Sequence, residues 1–326
     1  FCVLAVVCAL KNIGFFYILA KKVIQIFRTT RSSILALVYI TFIGSMFIAN
    51  DMALLTFLPL GYFVLSTANK KRYMAFTFIM QNIAANLGGM LTPFGNPQNL
   101  YLYGLAGVGA GQFMMWLLPY TVVSAVLLII SILLLKNKNA DVSMKDTDDN
   151  SEQRTVPVNV LLYTILFVIA LLVVARVLPW YVLTVLVLVT TFIIERNVLL
   201  KADYALLLTF VGFFIFTGNM GRIESVALFL SGIADGREIG VGIITSQCIS
   251  NVPAALLLSG FTHNIKSLAL GVNIGGLGTL IASMASLISY KQYVNEVPDG
   301  KEKYFVTFTV YNVIFLIVLY ACTKLI

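Results

Sequence analysis

Long, nearly unbroken apolar blocks separated by short polar connections make up this chain, and two of the blocks are interrupted from within. The first interrupted block is Tyr73 to Tyr103. By length it predicts one membrane-spanning helix, since about 20 apolar residues cross a hydrocarbon core. Its middle, Asn86 to Asn99, reads NLGGMLTPFGNPQN. Proline removes a backbone donor and clashes with the preceding turn, and glycine weakens a helix. The helix is therefore expected to break here. A broken backbone survives in lipid only where protein or a water-filled cavity surrounds it, so this stretch is expected to line a site.

The second interrupted block is Lys266 to Ile288, where Asn273 to Ser286 reads NIGGLGTLIASMAS. A shift of 187 positions lays Asn86 on Asn273, Gly88 on Gly275, Gly89 on Gly276, Asn96 on Ser283 and Asn99 on Ser286. A short motif precedes each: FIANDMALL around Asn50-Asp51, and CISNVPAALLL around Ser250-Asn251. A third echo pairs KNIG at Asn12 and Gly14 with GNMG at Asn219 and Gly221. Three echoes in one order predict an internal duplication. Interrupted apolar segments at corresponding places in two halves point to a transporter binding site.

The block Ser33 to Leu65 is too long for one helix and too short for two full spans, which need about 40 residues and a turn. A re-entrant hairpin with its tip at Asn50-Asp51 fits it. Arg28 and Arg31 before it, and Lys70, Lys71 and Arg72 after it, set both ends on the cytoplasmic side. Ile239 to Phe261 predicts the second hairpin, opening outward. Further spans are expected at Phe113 to Leu135, Val158 to Leu178, Trp180 to Ile194, Tyr204 to Phe216 and Tyr304 to Thr323. Lys11 to Arg31 mixes lysine and arginine with aromatic and aliphatic residues, as does an interfacial amphipathic helix; Arg222 to Arg237 is its partner. The polar stretch Lys136 to Thr155 predicts a flexible cytoplasmic linker. The domain reading is a first repeat over 1–135, the linker over 136–155, and a second repeat over 156–326. Since two spans precede GNMG and none precedes KNIG, the first repeat is expected to lack about two helices at its start, roughly 45 to 55 residues at about 20 per span.

Composition agrees. The chain is 60% hydrophobic and 11% charged over 326 residues, whereas soluble domains carry about 25% charged residues. The fold class is an all-α polytopic membrane protein with inverted-topology repeats, two re-entrant hairpins and two broken helices. The net charge of +8 comes from basic residues in short loops, so it reads as membrane orientation rather than nucleic-acid binding. Cys2, Cys8, Cys248 and Cys322 have no metal-ligand spacing, and His263 is the single histidine. An intramembrane enzyme would need a nucleophile–base pair or a metal cluster, so a non-enzyme is expected.

The candidate site gathers the two hairpin tips and the two breaks: Asn50, Asp51, Thr92, Gly95, Asn96, Asn99, Ser250, Asn251, Thr279, Ala282, Ser283 and Ser286. Carbonyls and helix C-termini suit a small hard cation, and helix N-termini suit an anion. Candidate Na⁺ positions are Asn50, Asp51, Gly95 and Asn96 in one half, and Ser250, Asn251, Ala282 and Ser283 in the other; no other cofactor is expected. Asp51 stands apart, because a charge at the membrane centre costs at least about 2.5 kcal/mol. It is expected either to bind a proton or cation or to cap the helix arm that follows.

At these motifs the chain resembles the ion transporter superfamily, which includes arsenite permeases, NhaD-type sodium/proton antiporters, citrate transporters and divalent anion/sodium symporters. FIANDMALLTFLPL is similar to the arsenite-permease pattern around ND. LGGMLTPFGNPQN and IGGLGTLIASMAS resemble the superfamily's two helix breaks, and Ser250-Asn251 resembles the start of the dicarboxylate symporters' hairpin motif. The resemblance implies a scaffold and a transport domain, elevator-type movement and a homodimer. It implies a secondary transporter in a bacterial inner membrane, moving a small anion or ion, such as arsenite, a carboxylate or another oxyanion, with H⁺ or Na⁺ coupling. A sodium/proton antiporter is the alternative, and a passive channel a further one. Its partners are then its substrate, the bilayer and a second copy, with no nucleic acid.

Overall fold

The structure, a computed structural model, describes residues 29–67, 69–135, 157–174, 178–194 and 222–325, with isolated positions within 5–9 and 208–219. The linker Lys136 to Thr155, Cys2, Cys8, the KNIG motif, and most of the segments Lys11 to Arg31 and Tyr204 to Phe216 lie outside the described residues.

The helices in chain order are α1 (Thr30–Ser45), α2 (Asn50–Thr67), α3 (Met74–Gly89), α4 (Pro97–Ala106), α5 (Ala110–Leu133), α6 (Pro157–Val174) and α7 (Trp180–Ile194). They continue with α8 (Glu224–Ala234), α9 (Glu238–Ile249), α10 (Asn251–Leu258), α11 (Ile265–Gly275), α12 (Met284–Glu296) and α13 (Lys301–Cys322). Among the described residues, Ala110–Leu133 and Pro298–Cys322 are long and apolar enough to cross a membrane. Most of the other helices are shorter, as an interrupted pattern of glycine and proline dictates.

The chain forms two compact units, Phe1–Lys22 with Met144–Gly212 and Val23–Ser143 with Phe213–Ile326. Each draws on residues from both sides of the 136–155 stretch. In the first unit α6 packs against α7, with Tyr163, Leu166, Leu183 and Val187 buried.

The second unit is built on α3. Every residue from Met74 to Gly89 is buried, a pattern that only a helix surrounded by others can carry. α1 and α2 form a helical hairpin whose two arms both pack on α3. The Thr29–Ser32 capping box starts it: Ser32 N–H donates to Thr29 Oγ1 at 3.2 Å and Thr29 N–H to Ser32 Oγ at 3.1 Å. Its turn, 46–49, places Asn50 as the first residue of the second arm. The later half repeats this plan. α9 and α10 both pack on α11, and the chain turns between them at Ser250, a non-glycine residue with φ of 74°. α11 is buried from Leu268 to Gly275.

The breaks are narrower than the motifs that announce them. Asn86 to Gly89 stay helical, and unwinding runs from Met90 to Asn96 before α4 resumes with Pro97 in its first turn. In the other half it runs from Gly276 to Ser283. Gly278 in that stretch has φ of +108°, which side chains rarely tolerate. Beyond each break the arms cross over. α4 packs on α10 and α11, and α12 packs on α2 and α3. α5 and α13 complete the unit, turning Met115, Val122, Phe305 and Val306 outward.

Gly88 and Gly275, which look like helix breakers, are close-approach positions instead. A Cβ on Gly88 would meet the Phe42 carbonyl and lie 2.6 Å from Ser45 Oγ; one on Gly275 would lie 2.7 Å from Ser246 Oγ and 2.9 Å from Ile243 Cα. Gly104 has open space around it. Gly88→Ala should therefore cost about 1–3 kcal/mol by overpacking and lower the melting temperature in detergent, while Gly104→Ala, within α4 and in open space, should not lower it. Equal melting temperatures for the two variants would refute the close contact.

Candidate functional site

Each hairpin is latched to the break of its own half, and the latch is the same in both. Asn50 N–H donates to Gly95 O at 3.0 Å, and Asn251 N–H donates to Ala282 O at 2.9 Å. Thr92 Oγ1 donates to Met46 O at 2.6 Å, and Thr279 Oγ1 to Gln247 O at 3.4 Å. Asn96 and Ser283 occupy the helix-start position of α4 and α12 with extended backbones, φ −140° and −147°. Each expected pair thus occupies an equivalent place. Position 95 corresponds to 282 and 96 to 283 by the 187-residue shift, whereas the hairpins correspond by 201.

A second set of bonds joins the two halves. Asn86 accepts from Asn50 Nδ2 at 2.9 Å and donates to Ser283 Oγ at 3.1 Å. Ser283 and Ser286 hydroxyls lie 2.9 Å apart, and Asn82 Nδ2 donates to Ser286 Oγ at 3.3 Å. In the reverse direction Asn273 Nδ2 donates to Asn99 Oδ1 at 2.6 Å, while Asn273 Oδ1 lies 3.1 Å from the Asn96 amide and 3.3 Å from Gln98 Nε2. Asn96 Nδ2 also lies 3.3 Å from Asn86 O, and swapping its amide would exchange these bonds for ones to Gly95 O at 2.7 Å and from Met90 N–H at 3.3 Å. These side chains are buried: Asn82, Asn99 and Ser286 at 0% exposure, and Asn50, the most open of them, at 4%.

The freed carbonyls of the breaks are taken up by two amides. Asn99 Nδ2 faces the carbonyls of Gly89, Met90 and Thr92 at 3.3, 2.8 and 3.2 Å. Gln247 Nε2 faces those of Gly275 and Leu277 at 2.8 and 2.9 Å, while its Oε1 accepts from Thr279 N–H at 2.9 Å. Ser250 Oγ lies 3.5 Å from Asn251 Oδ1 and from Ala282 O. Asp51, half-buried, sits in the first turn of α2, where the helix dipole favours a negative charge; Asn50 Oδ1 takes its amide at 2.9 Å.

All twelve candidates thus lie at the tips and breaks; among them Thr279, bonded to Gln247, is exposed. Asn82, Asn86, Gln98, Asn273 and Gln247 belong with them but were not among the sequence candidates. Asn82 carried a signal, being four residues before Asn86 and so on the same helix face. Asn82 Oδ1 and Gln98 Oε1 are buried acceptors met by no described donor. The first turns of α2, α4, α10 and α12 all begin at this neutral belt of amides and hydroxyls, beside the last turns of α1, α3, α9 and α11. It therefore offers donors to an anion and carbonyl oxygens to a hard cation.

Such a belt, on an unwound pair of helices inside an apolar unit, is the equipment of a membrane transporter, and the chain belongs to the citrate transporter family, whose model matches residues 1–267. It is an integral membrane protein. Among curated relatives it is similar to "Uncharacterized transporter MJ0456" of Methanocaldococcus jannaschii, with 30% identity over 85% of this chain and 76% of the relative. It is also similar to "Inner membrane protein YbiR" of Escherichia coli strain K12, with 29% identity over 85% of this chain and 74% of the relative.

Asn273 joins three first-half side chains, whereas the equally buried Asn312 makes one bond, to its own helix at Phe308 O, 2.9 Å. Asn273→Ala leaves several buried polar groups unpaired at about 1–3 kcal/mol each. It should lower the melting temperature more than Asn312→Ala; the opposite order would show that the cross-half bonds carry no stability.

Proposed function

We propose that this protein is a secondary active transporter for a small anion, coupled to Na⁺ or H⁺. In this reading the anion, of the carboxylate or oxyanion class that the family's description suggests, binds between the two tips at the N-termini of α2, α4, α10 and α12. The observation that carries it is the repeated latch: Asn50 N–H to Gly95 O and Asn251 N–H to Ala282 O, each beside an unwound helix. Two matched half-sites around one buried belt suit a substrate held at a repeat interface. The α1–α2 and α9–α10 hairpins are then re-entrant, the halves are inverted repeats, and the compact unit holding the belt moves as an elevator within a homodimer in a bacterial inner membrane.

Na⁺ fits the donor set in chemistry. Asn50, Asp51, Gly95 and Asn96 would hold it in one half, and Ser250, Asn251, Ala282 and Ser283 in the other. The Gly95 and Ala282 carbonyls already accept one backbone N–H each, so they would share their oxygens with the ion. Asp51 favours a second reading, a sodium/proton antiporter, because it alone among the twelve can titrate.

Purified protein in proteoliposomes tests the first reading. Uptake of labelled citrate, succinate or arsenite should saturate and depend on an imposed Na⁺ or H⁺ gradient; linear, gradient-independent flux would indicate a channel. Na⁺/H⁺ exchange with no anion uptake would favour the antiporter. Asp51→Asn should fold normally and lose gradient-driven uptake while keeping exchange of substrate. If instead Asp51→Asn transports fully and Asp51→Ala is the less stable, the residue only supports the first turn of α2 through the helix dipole, a role worth about 0.3–1 kcal/mol.

Topology gives an independent check. Ser32→Cys and Asn69→Cys flank the first hairpin, and both should react with an impermeant maleimide from the same side. Labelling from opposite sides would rule out a re-entrant hairpin.

A further inference from the structure

Away from the belt, a cavity of about 520 Å³ lies where the start of α9 meets the end of α13. Two cations line it from distant parts of the chain, Arg237 and Lys324. Both are exposed, and among the described residues neither pairs with a carboxylate. Lys324 stands over the Tyr320 ring, 5.7 Å from its centre, which holds the ammonium at the rim. Glu238 is the acid in the lining, but it is 5% exposed and its Oε1 is engaged by Gly236 N–H at 3.2 Å and Thr262 Oγ1 at 3.1 Å. Its Oε1 is thus bound on the protein side. The first turn of α9 has no side-chain cap, and Gly240 in it has open space above its Cα. The floor therefore presents uncapped amides beside the two cations.

The remaining lining mixes two polar side chains, Asn264 and Ser267, with apolar ones, among them Ile233 and Ile244 at 39% and 67% exposure. Ile314 and Ile317 on α13 are exposed at 48% and 58%. Lys324 follows the end of Pro298–Cys322, a helix long and apolar enough to cross a membrane. That puts the cationic rim at headgroup level, with a tyrosine beside it and apolar faces leading toward the acyl region. A free anion would need the cations but not those faces; a basic pocket between membrane helices that continues into an apolar surface matches an anionic lipid.

We propose that the cavity between α9 and α13 binds the phosphodiester headgroup of an acidic phospholipid, with Arg237 and Lys324 on the phosphate and the isoleucine faces along its acyl chains. The inference is independent of the transported substrate, since none of these residues belongs to the belt. The full chain in detergent tests it by thermal shift with added phosphatidylglycerol, phosphatidylcholine or inorganic phosphate. Phosphatidylglycerol should raise the melting temperature, and the other two should not. Arg237→Gln with Lys324→Gln should lose that response without changing the melting temperature in phosphatidylcholine. Lys301→Gln with Lys303→Gln, the same charge change on exposed lysines elsewhere, should keep it. Native mass spectrometry gives a second readout, with bound phosphatidylglycerol on the wild type and on the Lys301/Lys303 variant but not on the Arg237/Lys324 variant. An equal response to inorganic phosphate would overturn the lipid assignment. An equal loss in both double variants would reduce the effect to net charge and overturn the site.

Discussion

Breaking a helix inside an apolar environment frees carbonyls and amides that water cannot reach, and the structure is arranged around satisfying them. The two halves do this from different directions. In the first, Asn99 reaches back from α4 to the carbonyls of Gly89, Met90 and Thr92. In the second, the equivalent Ser286 is too short to do so, and Gln247 reaches in from the hairpin to Gly275 and Leu277. Its counterpart in the first hairpin is Met46, which has no donor to offer. The first break is thus closed by its own segment, and the second depends on α9 remaining in place. Two halves with matching latches are not mechanically alike.

The belt itself is neutral. Asparagine amides both donate and accept, so a chain of them can close on itself across two halves without burying a charge, whose desolvation would be costly. That suits a site whose occupant brings its own charge. Asn86 both holds the first tip through Asn50 and bridges to Ser283, and Asn273 bridges in the other direction to Asn99.

Much of this was legible in the sequence. Glycine with proline marked the first break and glycine alone the second, and the length of Ser33 to Leu65 marked the first helical hairpin. By the offset of 187, Gly95 corresponds to Ala282 and Asn96 to Ser283, and each pair shares a backbone bond or a helix-start position. The extent of unwinding was not legible. Gly88 and Gly89 read as breakers, yet α3 continues through them, and their lack of side chains lets α1 approach Gly88 and Gly95–Asn96 approach Gly89. Nor could the sequence indicate that α4 packs on the second half's α10 and α11, and α12 on the first half's α2 and α3. Which partner a buried asparagine meets is decided by that crossing, so the partners of Asn82 and Asn273 emerge only in three dimensions.

The crossing of the two arms also constrains how the chain can change over evolutionary time. Neither half closes its own core: each contributes the arm beyond its break to the other, as two swapped protomers do. A substitution at Asn273 is therefore felt at Asn96, Gln98 and Asn99, and one at Asn86 is felt at Ser283. The halves cannot drift independently, and a change in one is tolerated only with an answering change some 175 to 200 residues away. Covariation across the middle of the chain, rather than within either half, is the mark this architecture should leave on its descendants.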